Sequence, residues 1–189
     1  MGHQQLMTDQ SWCARQVHTW HLEQLSPFST PAREPPAYHL FQLTDPQPEF
    51  CRYLYAAVGG PWHWYERLTW SRAQWQACLA HSARTTWVAY LAGEPAGYFE
   101  LMDHGARNIE IAYFGLLPHR IGQGLGKPLL FDAIDAAQRL GAHRLWLHTC
   151  DMDHPAALAN YQQCGFQVFH EETFEARIPN PMPRVPPTP

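Results

Sequence analysis

The clearest signal in the chain is a change of period. Ile109, Ile111, Ala112, Tyr113, Phe114, Leu116 and Leu117 form a near-continuous apolar run, the pattern of a strand buried on both faces, and Pro118 ends it. Further on, Leu129, Leu130, Ile134 and Ala137 recur at helical spacing up to Leu140, where Gly141 is a natural C-cap. Between the two patterns lies Ile121-Gly122-Gln123-Gly124-Leu125-Gly126. The stretch from Asn108 therefore predicts a strand, a glycine-rich turn and a helix, in that order.

The rest of the chain falls into place around this unit. Alternation from Val17 to Leu25 predicts a first strand, after a polar stretch, Met1 to Arg15, expected to be frayed. Pro27, Pro31, Pro35 and Pro36 make Ser26 to Ala37 a connector. Tyr38 to Leu43 reads as a short strand, and a helix is expected from Glu49 to about Val58, stopping at Gly59-Gly60-Pro61. Ser71 is a plausible N-cap for a helix to about His81. Thr85 to Leu91 and Ala96 to Met102 read as two strands joined by a turn at Gly93-Glu94-Pro95. After the central unit come a strand over His143 to Cys150, a helix carrying Tyr161, and a last strand from Gln167 to about Thr173. Beyond Ile178 the proline-rich tail is expected to be extended or disordered, leaving residues 1–178 as one domain. The order of elements is mixed α/β.

Composition narrows the function classes. At 189 residues and 46% hydrophobic content the chain is long and apolar enough for one sizeable core. A formal net charge of −4, with no cluster of Lys and Arg interleaved with aromatics, argues against nucleic acid as a partner. No apolar run approaches a membrane span, and the N-terminus lacks a basic-then-apolar signal. Cys13, Cys51, Cys78, Cys150 and Cys164 are odd in number and scattered, as reduced thiols of a cytoplasmic protein would be. The histidines show no metal-ligand spacing, so no metal is expected.

The glycine turn carries chemistry. Gly122, Gly124 and Gly126 leave the backbone unshielded, so that consecutive N–H groups can converge on an anion at the positive end of the helix dipole. Phosphate or pyrophosphate is the implied ligand. A P-loop needs glycine where Ile121 stands and Ser or Thr where Pro128 stands, and a dinucleotide fingerprint needs glycine at Lys127 or Leu129. Neither pattern fits.

The turn instead resembles the Q/R-x-x-G-x-G/A motif of the GNAT superfamily of acetyl-CoA-dependent N-acetyltransferases, aligned on Ile121, Gly122, Gln123, Gly124, Leu125 and Gly126. Ile121 replaces the usual Gln or Arg, and Arg120 sits one residue early. A second segment resembles the family's N-x-x-A-x-x-x-Y-x-x-x-G-F: His154 stands in the Asn place, and Ala157, Tyr161, Gly165 and Phe166 match. The resemblance spans residues 85–175.

It implies a central twisted, mostly antiparallel sheet of about six or seven strands flanked by about four helices, in the order β-(β)-α-α-β-β-β-α-β-α-β. The family's central strand splays from the next one, and the cofactor's pantetheine arm enters the gap. On that pattern Phe114, Gly115 and Leu116 hold the pantetheine amides. Gly122, Gln123, Gly124, Leu125, Gly126 and Lys127 hold the pyrophosphate, with His154 beside them, although Lys127 also reads as a solvated lysine at a helix start. Tyr161 would protonate the departing CoA thiolate.

Glu110, on the central strand, is the candidate base, against the alternative of a polar residue at a strand end. Glu100 is the reserve. The aromatic stretch holding Trp62, Trp64, Tyr65 and Glu66 falls where the family builds its variable acceptor site, although helix-to-sheet packing is the favoured role for most of its tryptophans. The expected activity is direct transfer of acetyl from acetyl-CoA, in a ternary complex, to a primary amine, with a small molecule favoured over a protein lysine or N-terminus. A non-catalytic acyl-CoA sensor is the rival reading, and a homodimer is a family-level expectation.

Overall fold

The computed structural model describes residues 11–28 and 30–180. A seven-stranded sheet runs through it in the order β2-β3-β4-β5-β6-β1-β7. Its strands are β1 (Ser11–Leu25), β2 (His39–Gln42), β3 (Arg84–Leu91), β4 (Glu94–Asp103), β5 (Asn108–Leu116), β6 (Arg144–Cys150) and β7 (Gln167–Asn180). The helices are α1 (Pro48–Gly59), α2 (Arg72–Leu79), α3 (Gly126–Arg139) and α4 (Ala157–Gln163). All pairings are antiparallel except β5 with β6.

Local chemistry explains most boundaries. Ser71 caps α2 in a capping box with Gln74, and Gly141 takes the left-handed conformation just past α3. The β3–β4 turn lies one residue earlier than expected, at Ala92-Gly93, both at positive φ as a tight hairpin demands. Glu94 and Pro95 consequently open β4.

The larger corrections are at the sheet edge. β1 starts at Ser11 rather than Val17, and β7 runs to Asn180 rather than Thr173, because these two segments pair with each other from Ser11–Asn180 inward. Residues 11–15 are therefore strand, not frayed, and Pro179 lies in the ladder opposite Trp12. An edge strand accepts proline where the missing N–H faces outward. Residues 1–10 and 181–189, expected to be frayed or extended, lie outside the described residues.

Both faces of the sheet are covered, as the apolar run of β5 requires. Phe99, Leu101, Ile109 and Ile111 pack with Leu129, Leu130 and Ile134 of α3 and with Tyr161 and Phe166. Val88, Tyr98 and Leu117 pack on the other face with Leu54 and Val58 of α1. Each such fully buried side chain is worth about 1.5–3 kcal/mol relative to exposure. No helix among the described residues is long and apolar enough to cross a membrane.

Two irregularities position the site. β5 and β6 pair only from Asn108–Arg144 to Glu110–Trp146 and then part. At the same point Ala112 is an extra residue in β5, since Glu100 faces Tyr113 while Leu101 faces Ile111. Directly opposed residues share a face, so Glu110, opposite Met102, lies on the same face as Tyr113. Simple alternation would separate them.

Candidate active site

The gap between β5 and β6 opens into a cleft of about 880 Å³. One wall is β5 from Ile111 to Leu116, the other is Leu147, His148 and Cys150 of β6, and the glycine turn and the start of α3 close one end. Trp62, Trp64, Tyr65 and Glu66 also line the cleft, together with His21 of β1 and Glu172 of β7. A cavity of this size and mixed lining falls in the range of small-molecule and cofactor sites.

The glycine end is built for an anion. Gly122 and Gly124 have φ of +81° and +75°, which turns the backbone so that α3 begins at Gly126 with no side-chain cap. Among the described residues, the N–H groups from Gly122 to Lys127 have no acceptor in the chain. An open row of N–H groups at a helix start is an oxyanion cradle. The Lys127 ammonium lies beside it, donating to Gln163 Oε1 at 3.2 Å. Arg120 serves the fold instead: it donates to the Leu91 carbonyl at 3.3 Å and lies 3.7 Å from Glu94, while Ile121 lines the cleft. Gln123 is also turned away, donating to the His119 carbonyl.

Along the wall, Gly115 is required by contact rather than by φ. A Cβ there would lie 2.5 Å from Val58 Cγ1, so α1 packs directly on the strand. Tyr161 of α4 faces the cleft, held edge-on against Phe114 and Phe166 at 6.0 and 6.2 Å between ring centroids. Its hydroxyl has no protein partner among the described residues, and burial, with the Asp153 charge nearby, raises its pKa above that of an ordinary tyrosine. The phenol therefore stays protonated and is free to donate. His154 accepts the Ala156 N–H at 3.1 Å, which shapes the turn into α4, and packs edge-on against Trp62 at 5.2 Å. Cys150 lines the cleft, but burial and neighbouring Asp153 push its thiol up, which disfavours a thiolate nucleophile.

The carboxylates separate clearly. Glu100, the reserve base, lies outside the cleft lining and is 1% exposed. Both its oxygens accept from Arg67 Nη1, at 3.2 and 3.0 Å, and one also accepts from Arg84. It anchors the two arginines and lies outside the cleft. Glu110 is set back from the lining, bonded to His104 Nε2 at 2.8 Å and 4.0 Å from Nδ1 of His148. His148, which no motif singles out, does line the cleft.

The aromatic stretch divides between two roles. Trp64 packs on Tyr113 at 5.0 Å and on Tyr55 at 5.6 Å, and Trp70 and Trp75 enclose the Arg67 guanidinium, whose carbon lies 4.2 Å from the centre of the Tyr113 ring. Trp62, Tyr65 and the exposed Glu66 face the cleft, as Trp64 also does.

Known proteins share this fold. The chain resembles a GCN5-related N-acetyltransferase from Sphaerobacter thermophilus, with a TM-score of 0.62, 16% identity, and coverage of 88% of this chain and 53% of that one. It resembles an IAA acetyltransferase from Bacillus cereus ATCC 14579, with a TM-score of 0.54 and 25% identity over 70% of this chain and 79% of that one. A Bacillus subtilis acetyltransferase solved in complex with CoA has a TM-score of 0.53 and 21% identity, covering 69% of this chain and 76% of its own. In sequence, the uncharacterized N-acetyltransferase YvbK of Bacillus subtilis strain 168 is 31% identical over 83 residues, 43% of this chain and 52% of that protein. The chain thus spans about half the length of YvbK and of the Sphaerobacter protein. The family profile of the acetyltransferase (GNAT) family matches residues 37–166, which include both walls of the cleft, the glycine turn and Tyr161. With its splayed central strands and its open glycine turn, this chain belongs to the acetyltransferase (GNAT) family.

Proposed function

We propose that the chain is an N-acetyltransferase that moves acetyl from acetyl-CoA directly to a primary amine in a ternary complex, with a small molecule as acceptor. The observation that carries this reading is the open row of N–H groups at Gly122 to Lys127, set at one end of a cleft that holds Tyr161. The pyrophosphate of CoA sits on that row, and the pantetheine arm runs along Phe114, Gly115 and Leu116. The arm takes the place of a strand, pairing with the edge of β5 that β6 leaves free beyond Glu110.

The acceptor occupies the other end, between Trp62, Trp64, Tyr65 and Glu66. A carboxylate and aromatic faces together suit a cationic amine. An alkylamine of pKa about 10.4 is neutral in only about one molecule in a few thousand at pH 7, so a proton acceptor is needed. His148 lines the cleft and takes that proton, with a Glu110 carboxylate oxygen 4.0 Å from its Nδ1. The amine then attacks the thioester carbonyl, and the C–S bond breaks as Tyr161 gives its proton to the leaving thiolate. The raised Cys150 pKa supports direct transfer over an acetyl-enzyme. The free thiols of the five cysteines accord with a reducing compartment, the cytoplasm.

Release of free thiol from acetyl-CoA tests this reading. Small primary amines are expected to raise it well above the rate without acceptor, and peptides bearing lysine or a free N-terminus are not. Release with peptides alone would assign a protein acceptor, and binding without release on any amine would assign a sensor. A second expectation concerns the cradle: Gly124→Val forces a β-branched residue to φ +75° and weakens acetyl-CoA binding about tenfold or more. Calorimetric titration giving an unchanged Kd would remove the turn from the cofactor site.

A further inference from the structure

The acceptor end of the cleft carries a second constellation. On three adjacent strands, His148 of β6, His21 of β1 and His170 of β7 stand directly opposite one another, because His21 pairs with His148 on one side and with His170 on the other. The imidazole centroids lie 5.9 Å apart for His21 and His148 and 5.3 Å apart for His21 and His170. Glu172, two residues beyond His170 on the same face of β7, accepts a hydrogen bond from or shares a proton with His21 Nε2 at 3.0 Å. One ligating atom from each of His21, His170 and Glu172 lies within 4.8 Å of the other two.

We propose that His21, His170 and Glu172 form a site for a divalent transition-metal ion of the Zn²⁺ class. Two imidazoles and a carboxylate are the donor types such ions take, and they form one face of a coordination shell with room opposite it. Zn²⁺ bonds of about 2.0–2.2 Å hold tetrahedral donors about 3.4 Å apart. The present spread of up to 4.8 Å closes on rotation of side chains about fixed strand positions. The ladder supplies the rigidity: directly opposed and diagonal cross-strand positions are where side chains of an antiparallel pair meet. Each imidazole binds in its neutral form through a nitrogen lone pair, and the His21–Glu172 hydrogen bond gives way to two bonds to the metal. The remaining positions fall to water. Since His21 and Glu172 line the cleft, the ion faces its interior.

The test is titration of the full chain with Co²⁺, whose visible ligand-field absorption reports coordination, followed by displacement with Zn²⁺. The wild type is expected to bind one Co²⁺ with visible bands that Zn²⁺ abolishes. Loss of a direct ligand in His170→Ala, an exposed position whose substitution spares the core, is expected to weaken Co²⁺ at least as much as the 10–100-fold typical of outer-shell changes, with an unchanged melting temperature in the absence of metal. His18→Ala serves as control, because His18 alternates with His21 along β1 and bonds Thr173 and Glu171. It should leave the affinity unaltered. Absence of bands in the wild type, an unchanged affinity in His170→Ala, or an equal loss in His18→Ala would each overturn the proposal.

Discussion

Tyr161→Phe is expected to lower kcat by about 10²–10⁴-fold while leaving the Kd for acetyl-CoA within about twofold. The substitution removes one oxygen and keeps the ring that packs against Phe114 and Phe166, so the cleft wall survives. What is lost is the proton donor that the proposed mechanism places beside the sulfur. Without it the thiolate must leave as an anion with no donor from Tyr161 to receive it. The pH dependence has a defined sign. Because burial raises the pKa of Tyr161, the protonated donor persists above the ordinary tyrosine value of 10.0, so any alkaline decline in wild-type kcat due to this group lies above that pH. Steady-state kinetics of the two proteins across that range checks both statements, and an unchanged kcat in the variant would return Tyr161 to a packing role.

The second large effect concerns stability. Arg67 is 5% exposed, forms an ion pair with Glu100 and is enclosed by Tyr55, Trp70, Trp75 and Tyr113. Arg67→Ala strips a buried carboxylate of one of its two guanidinium partners and opens a hole among the rings. Breaking a buried pair from one side costs about 3–5 kcal/mol, which for a domain of this size lowers Tm by about 6–20 °C. The paired change Arg67→Met with Glu100→Gln is expected to recover only part of that loss, since the carboxylate charge is removed but Arg84 then loses its charged acceptor. Thermal melts of the three proteins decide it. A fall of less than about 2 °C in Arg67→Ala would show that Arg84 alone satisfies Glu100. The same contacts tie the Trp62–Glu66 segment to β5, so a surviving fraction of the variant should lose acceptor affinity before acetyl-CoA affinity.

Features that rest on neighbours along the chain are legible in the sequence. The Ser71 N-cap, the Gly141 cap and the strand-turn-helix around Gly122 to Gly126 all stand as expected, because a cap or a positive-φ turn is specified within a few residues. Features that depend on distant partners are not legible in the same way. The first residues of β1 and the last of β7 carry no helix-like or strand-like signal of their own and acquire strand structure only by pairing with each other. The bulge at Ala112, which puts Glu110 on the face of Tyr113, arises from the β4–β5 register and leaves no trace in the composition of β5. The buried Arg67 cannot be told from a surface arginine by its neighbours in sequence, since only the fold surrounds it with rings. Likewise His148 and the row it forms with His21 and His170 escape any search for ligand spacing along the chain, because cross-strand register brings them together. The alternation of Val17, Thr19 and His21 is the one local hint, since it places His21 on the face of the buried Val17.

The most direct test of the central claim, that the cleft between β5 and β6 with its glycine turn holds acetyl-CoA, is a thermal shift of the full chain with acetyl-CoA, CoA and a longer acyl-CoA. A ligand at 100 times its Kd stabilises the fold by about 2.7 kcal/mol, which corresponds to a rise in Tm of about 5–10 °C. The predicted result is such a rise with acetyl-CoA and CoA, cut to about half or less in Gly124→Val at the same concentration. No shift with any of the three ligands would contradict the account, and would leave the open N–H groups of the turn without the ligand assigned to them.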